Sequence, residues 1–239
     1  MARGATVVDV GASDGVFTER MSHLVGRAGR VHAFEANPGD EALLDAVRAR
    51  CPNVSVHIAA LSDHAGEATL HVPVLHGRQS LGRASLVVPD ARRDVSHELI
   101  PVVMQRLDDV LGSERSRVTF VKCDVEGHEH AVLLGGEQTL REAGPTILIE
   151  IEQRHRDRPV EETFELLQQL GYRGYGVRGT SLVPLADFDL ERDQLRFAES
   201  LETSDDDPAA DYVHNFLFVP GAATLPRPLE RRVTPAQRS

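Results

Sequence analysis

Val7-Val8-Asp9-Val10-Gly11-Ala12-Ser13-Asp14-Gly15 decides the fold. The apolar run Ala5–Val10 stops at a turn of small residues, and Phe17, Met21, Leu24 and Val25 follow at helical spacing. A short continuous apolar run bounded by glycine reads as a strand buried on both faces of a parallel sheet. Gly11 and Gly15 let the backbone turn sharply and come close to a ligand. The helix that follows offers unpaired amides at its N-terminus. The same residues would also serve an ordinary strand-to-helix turn, so the neighbouring motifs decide.

The next strand, Arg30–Glu35, runs into His32-Ala33-Phe34-Glu35-Ala36-Asn37-Pro38. Glu35 lies 24 residues after Gly11, where an acid at a strand end can accept hydrogen bonds from both ribose hydroxyls of an adenosine. A surface glutamate at a strand end is the plainer alternative. A nicotinamide dehydrogenase would share the acid but would show G-x-G-x-x-G, whose second glycine admits the pyrophosphate. Here that stretch is Gly11-Ala12-Ser13-Asp14-Gly15, and Asp14 would bring negative charge toward a diphosphate. S-adenosylmethionine has no phosphate and carries an ammonium and a sulfonium, so acids near it are favourable.

Strand-like and helix-like segments alternate along the rest of the chain, which predicts an α/β fold with a mostly parallel sheet. Leu43, Leu44 and Val47 mark a second helix, Val54–Leu61 a third strand, and Thr69–Pro73 an added strand after a turn at Gly66. Residues 76–101, with Ser80 and Leu81, read as a long loop or lid. Val118–Val125 is a fourth strong strand, Ala131–Leu140 a helix, and Thr146–Ile151 a fifth strand. Pro159 suits a first helical turn whose apolar face is Phe164, Leu167 and Leu170, with Gly171 as its C-terminal cap. Tyr212–Val219 is a late strand, and the acidic stretch around Asp205-Asp206-Asp207 is a solvated loop. One domain, residues 1–220, is expected, followed by a disordered tail at 221–239 that is rich in Pro and Arg.

Composition narrows the function classes. Of 239 residues 41% are apolar and 26% charged, enough for a sizeable core, and tryptophan is absent. A net charge of -11 without a basic stripe argues against a nucleic-acid partner. Cys51 and Cys123 give neither a disulfide framework nor a metal spacing. No signal peptide and no apolar run long enough for a membrane span is visible, so the expected location is the cytoplasm, without membrane contact. A homodimer stays open.

The third motif is Phe120-Val121-Lys122-Cys123-Asp124-Val125-Glu126-Gly127-His128-Glu129. With it the ordered pattern resembles the FkbM family of methyltransferases: D-V-G-A-x-x-G-x-(F/Y)-T, then F-E-x-N-P, A-L-S-D-x-x-G and (K/I)-x-D-V-E-G-x-E. The matching stretches are Asp9 to Thr18, Phe34 to Pro38, Ala60-Leu61-Ser62-Asp63 with Gly66, and Lys122 to Glu129. Arg106-Leu107-Asp108-Asp109, Gln79-Ser80-Leu81 and Asn215-Phe216-Leu217-Phe218 resemble further family elements, so the resemblance spans roughly residues 5–220. It implies a Rossmann-like class I fold: a seven-stranded, mostly parallel sheet with an antiparallel C-terminal strand and helices on both faces. It also implies methyl transfer from S-adenosyl-L-methionine, usually to oxygen, with a small hydroxylated metabolite such as a sugar or polyketide as acceptor. By position, Asp9, Gly11, Ala12, Ser13 and Gly15 would surround the methionine part. Glu35 would hold the ribose, with Ala36 beside the adenine, and Leu61, Ser62 and Asp63 would border the adenine edge. The helix that many methyltransferases place over the site is expected to be short or missing, because the sequence opens almost at the first strand.

Methyl transfer is an in-line displacement at a sulfonium, so positioning carries most of the work and a base helps if the acceptor hydroxyl must lose a proton. Asp124 ends the fourth strand at the sheet edge where open α/β folds bind ligands. Asp124 and Glu126 are the candidates for orienting the acceptor. His128 is the candidate base, having the nearby side chain with a suitable unperturbed pKa. Glu150 and Glu152 alternate on one face of the fifth strand and with Asp124 could form an oxygen-rich cation site. Carboxylates without a decisive spacing do not define one, so no metal is expected. Glu150, His155, Ser80 and Leu81 are assigned to the acceptor pocket. The alternatives are a nicotinamide-dependent oxidoreductase and a non-catalytic nucleotide-binding partner protein.

Overall fold

The structure is a computed structural model and describes residues 1–75, 78–79, 84–87, 96–156, 158–197, 211–225 and 227–233. The chain opens β1 (Thr6–Val10), α1 (Val16–Val25), β2 (Arg30–Glu35), α2 (Glu41–Arg50), β3 (Val54–Ile58) and β4 (Ala60–Leu61). It continues with β5 (Gly66–Leu75), β6 (Arg78–Gln79), β7 (Ser96–Gln105), α3 (Leu107–Leu111), β8 (Val118–Cys123), α4 (Glu129–Gly135), α5 (Glu137–Ala143) and β9 (Thr146–Glu150). It closes with α6 (Val160–Gln169), β10 (Tyr172–Arg178), β11 (Ser181–Pro184), α7 (Leu190–Asp193), β12 (Asn215–Pro220) and α8 (Arg227–Glu230).

The main sheet has the order β11-β10-β12-β9-β8-β1-β2-β3. Strands β1, β2, β3, β8 and β9 pair in parallel, and β12 is antiparallel to both β9 and β10. The expected seven strands become eight because Tyr172–Arg178 and Ser181–Pro184 form a hairpin at the edge. Every residue of β1 is buried. Val8 and Val10 enter one core, Val7 the other, so the alternation of a strand puts apolar side chains under helices on both faces.

The stripe that docks α1 is Thr18, Met21, Ser22 and Val25. Phe17 and Leu24, expected inside, are 49% and 54% exposed. The polar pair can replace them because each hydroxyl donates to a partner: Thr18 Oγ1 to Asp9 Oδ2 at 2.6 Å and Ser22 Oγ to Asn53 Oδ1 at 2.6 Å. The helix expected over Ala131–Leu140 is broken between α4 and α5. A Cβ on Gly135 would stand 2.0 Å from the Ser62 carbonyl oxygen, so this glycine lets the helix press against the chain after β4.

A second sheet, order β4-β7-β5-β6, grows from the C-terminal end of the third strand region. β5 and β7 pair antiparallel from Gly66↔Met104 to Val74↔Ser96. The lid expected over 76–101 is therefore strand from Ser96 onward. Val102 and Met104 turn inward while Val103 faces solvent, the period of a half-buried strand. Ser80 and Leu81 lie outside the described residues. At the other end, the expected tail is docked over much of its length: Leu225 is buried and Leu229 and Val233 pack beside it against Tyr175 and Leu182. Among the described residues no helix is long and apolar enough to cross a membrane.

Candidate active site

The C-terminal ends of β1, β2 and β8 converge on a cleft of about 260 Å³. Its first wall is the turn after β1. Gly11 has φ 76°, and a Cβ there would stand 1.8 Å from the Asp124 carbonyl oxygen, so only glycine allows the β1 and β8 ends to approach this closely. Most of the turn's amides are already bonded. Gly11 and Ala12 donate to the Phe34 carbonyl at 3.0 Å each, Gly15 to the Ala12 carbonyl, Val16 to Asp14 Oδ1, and Ser13 to Glu35 Oε2 at 2.8 Å.

Glu35 ends β2 and faces the cleft. Its second oxygen accepts from the Asn37 amide at 2.8 Å, so one carboxylate ties the turn to the β2 end. Burial pushes its pKa up, and these amide bonds pull part of that back. Beyond Glu35 the lining is apolar: Phe34, Ala36, Ala59, Ala60, Leu61 and Leu70, with Ala84 and Leu86 on either side of Ser85, which bridges to His71 of β5. Ser62 and Asp63 follow Leu61, the last residue of β4. Ser62 Oγ donates to Asp63 Oδ1 at 3.1 Å and stands 3.0 Å from His128 Nε2. His128 lines the cleft, and burial lowers its pKa.

Asp9 lies beneath the turn, fully buried. Burial raises its pKa; the Lys122 ammonium and the Thr18 hydrogen bond oppose that. Asp124, Glu126 and Lys122 also line the cleft. Lys122 Nζ is 3.3 Å from Asp124 Oδ2, 3.9 Å from Asp9 Oδ1 and 4.9 Å from the Phe17 ring centroid. The chain turns after Asp124 through two left-handed residues, Glu126 at φ 53° and Gly127 at φ 103°. Glu129 Oε1 accepts from the Gly127 amide at 2.8 Å and Ser85 Oγ donates to the Glu126 carbonyl at 2.6 Å, fixing the turn from both sides. Burial, with the carboxylates of Asp124, Glu152 and Glu129 nearby, pushes the Glu126 carboxyl up to about 8.

Asp9, Gly15, Ser62 and Asp63 are not among the residues that line the cleft, whereas Gly11, Ala12, Ser13, Glu35, Ala36, Leu61, Asp124, Glu126 and His128 line it. Glu150 and His155 do not line it. His155 Nε2 stands 3.2 Å from Glu126 Oε2 and 3.6 Å from Glu152 Oε1. Glu152 accepts two bonds from Arg154, at 2.6 and 3.0 Å, and one from the Tyr212 hydroxyl. Burial would raise the Glu152 pKa, but His155 and Arg154 hold it well below the carboxylate range. Burial and the neighbouring acids push Glu150 up. Glu152 is thus engaged by Arg154, His155 and Tyr212, and Glu150 lies beside it. Among the described residues, the group whose ligand atoms lie within 4.8 Å of one another is Glu19, His23 and Cys51, none of which lines the cleft. Sequence reasoning gave Lys122 no role. Its signal was the spacing to Asp124, two residues apart on one strand and hence on one face.

The cleft joins an apolar lining to the carboxylates of Asp14, Glu35, Asp124 and Glu126. A search of curated proteins gives no sequence match. A methyltransferase FkbM from Methylobacillus flagellatus KT shares the fold, with a TM-score of 0.55 and 16% identity over 92% of this chain. The match covers 44% of that neighbour, so this chain spans less than half its length. Aeropyrum pernix fibrillarin with natively bound S-adenosyl-L-methionine matches at TM-score 0.48 and 12% identity, covering 91% of this chain and 66% of that one. A SAM-dependent methyltransferase from Aquifex aeolicus matches at 0.42 and 15%, covering 91% and 82%. The family model described as "Methyltransferase FkbM domain" matches residues 9–176, well over half of the chain and every residue that lines the cleft. The chain belongs to the FkbM family of S-adenosylmethionine-dependent methyltransferases.

Proposed function

We propose that this chain transfers the methyl group of S-adenosylmethionine to a hydroxyl of a small metabolite, with Asp124 and Glu126 on the acceptor side. The observation that carries the reading is the shape of one cleft. An apolar slot ends in a rim where Glu126 has a pKa of about 8 beside the Asp124 carboxylate. A carboxyl with that pKa exchanges protons near neutrality, as a general base requires. Asp124, partly exposed at 32% of its side chain, orients the acceptor hydroxyl.

When bound, the cofactor supplies an activated methyl on a sulfonium, so the protein's own task is alignment and proton acceptance. Gly11, Ala12 and Ser13 form the wall beside the methionine part. Glu35 accepts from the ribose through the lone pairs its two amide bonds leave free. Phe34, Ala36 and Leu61 sandwich the adenine. The contact between His128 and Ser62 supports a role at the adenine edge, so His128 gives way to Glu126 as the proposed base. Leu86 and Ala84, held by the Ser85 contact to Glu126, restrict water at the rim. The net charge of -11 favours an uncharged or cationic metabolite over a nucleic acid, acted on by a soluble cytoplasmic enzyme.

Calorimetric titration with S-adenosylhomocysteine and with NAD tests the cofactor half. Binding of the first and not the second is expected; tight NAD binding alone overturns the proposal. Incubation with labelled S-adenosylmethionine and hydroxylated acceptors tests the other half.

A further inference from the structure

The lining of the cleft contains four carboxylates, Asp14, Glu35, Asp124 and Glu126, and among the described residues a single Lys or Arg, Lys122. The methyl donor carries one anionic group, the carboxylate of its methionine part. That group needs donors, and the turn after β1 has few to spare. The amides of Gly11, Ala12, Ser13, Gly15 and Val16 are each bonded within the protein. An unaided carboxylate would instead meet the four acids of the cleft, a repulsion that a pocket partly shielded from water does little to screen.

Lys122 is placed and primed to answer this. It is the penultimate residue of β8, its side chain is only 8% exposed, and it lines the cleft. Its three neighbouring oxygens stand at 3.3 Å (Asp124 Oδ2), 3.5 Å (Gly11 carbonyl) and 3.9 Å (Asp9 Oδ1). All are longer than the roughly 2.7–2.9 Å of a strong charge-assisted bond, so the three N–H donors retain capacity for another acceptor. Asp9 Oδ1 has no hydrogen-bond partner, so it steers the ammonium by charge without consuming a donor. Burial would lower the Lys122 pKa, and the Asp124 and Asp9 carboxylates more than reverse that, so the side chain stays charged. The ammonium also lies over the Phe17 ring.

Resting on the reading of the cleft as a S-adenosylmethionine site, we infer that Lys122 binds the carboxylate of the donor's methionine part, with Asp9 and Asp124 as the groups that hold it there. The same two acids then balance the adjacent α-ammonium, so one buried lysine reads the amino-acid end of the donor.

Three probes separate this from a merely structural lysine. They are S-adenosylhomocysteine, its decarboxylated analogue, and methylthioadenosine, which lacks the whole amino-acid part. By calorimetry the unmodified protein binds S-adenosylhomocysteine about 10- to 100-fold more tightly than the decarboxylated analogue, the ratio of one hydrogen bond to a charged group. Lys122→Met erases that ratio: its affinity for S-adenosylhomocysteine falls by a similar factor, while methylthioadenosine binds as before. Lys122→Arg retains part of the preference. Equal loss for all three probes in Lys122→Met assigns the lysine to cleft integrity and overturns the inference. So does equal affinity of the unmodified protein for the carboxylated and decarboxylated probes, a test that stands even if the variant does not fold. If the unmodified protein binds none of the three, the cofactor reading itself fails and takes this inference with it.

Discussion

Replacing Glu35 with alanine removes two things at once, and the structure separates them. The carboxylate accepts from the Ser13 and Asn37 amides at 2.8 Å each and is 8% exposed. Each stranded amide costs about 1–3 kcal/mol. Water entering from the cleft will reach both amides, and burial of the charge already opposes folding, so the low end applies. A total of about 2 kcal/mol follows, a melting point lower by roughly 4–8 °C for a domain of this size. Separately, the lost bond from a ribose hydroxyl weakens S-adenosylhomocysteine binding about 10- to 100-fold. Glu35→Gln is intermediate on both counts. Its amide keeps one acceptor oxygen, but its NH2 must face one of the two backbone donors. Melting curves with and without S-adenosylhomocysteine, combined with calorimetry, read both effects. A large loss of melting temperature with unchanged affinity would make Glu35 a brace for the turn and refute its ribose role.

Asp124→Asn should lower kcat by about 100-fold or more if the carboxylate orients or helps deprotonate the acceptor. The cofactor Kd should move less, because asparagine still offers Lys122 an oxygen; steady-state kinetics alongside calorimetry decides. Glu126 is protonated below about 8 and ionised above it, so the rate should rise with pH through that value and level off, and Glu126→Gln should abolish the rise. Its stability effect has the opposite sense. The folded state holds the proton that the unfolded chain releases near 4.3, so stability falls as pH rises from there to about 8, and melting of Glu126→Gln across that window should be flatter. His128→Ala should raise the cofactor KM through the lost Ser62 contact while kcat at saturating cofactor holds. A fall in kcat with a displaced pH profile would restore His128 as the base.

The parallel core was legible because β1, β2, β8 and β9 are short apolar runs at strand ends marked by glycine or acid, a pattern that local sequence alone carries. The edge hairpin was not. Tyr172–Arg178 contains Gly174 and Gly176, which weaken a strand signal but are needed here: a Cβ on Gly174 would meet the Phe218 ring at 2.6 Å, and one on Gly176 would meet Val213 at 2.8 Å. β7 hid behind Pro101 and an exposed Leu99, and only its long pairing with β5 makes it a strand. In the site, Gly11, Glu35, Asp124 and Glu126 were found because each lies at a strand end or in the turn just after it. Lys122 and the contact between His128 and Ser62 depend on which strands and turns meet, and residues 62 and 128 come together only through the fold. Polar burial on α1 was invisible to a hydrophobic pattern for the same reason: Thr18 is inside because Asp9 waits for it.

The most direct measurement of the central claim is the fate of an isotope-labelled methyl group. Labelled S-adenosylmethionine is incubated with the protein and a panel of hydroxylated sugars, polyketides and small phenols, and the labelled product is examined by NMR. The account predicts S-adenosylhomocysteine release matched by a label bonded to oxygen on a small product, lost in Asp124→Asn. A label on nitrogen or carbon would contradict the O-methyl assignment, and no transfer to any acceptor despite S-adenosylmethionine binding would contradict the enzyme itself.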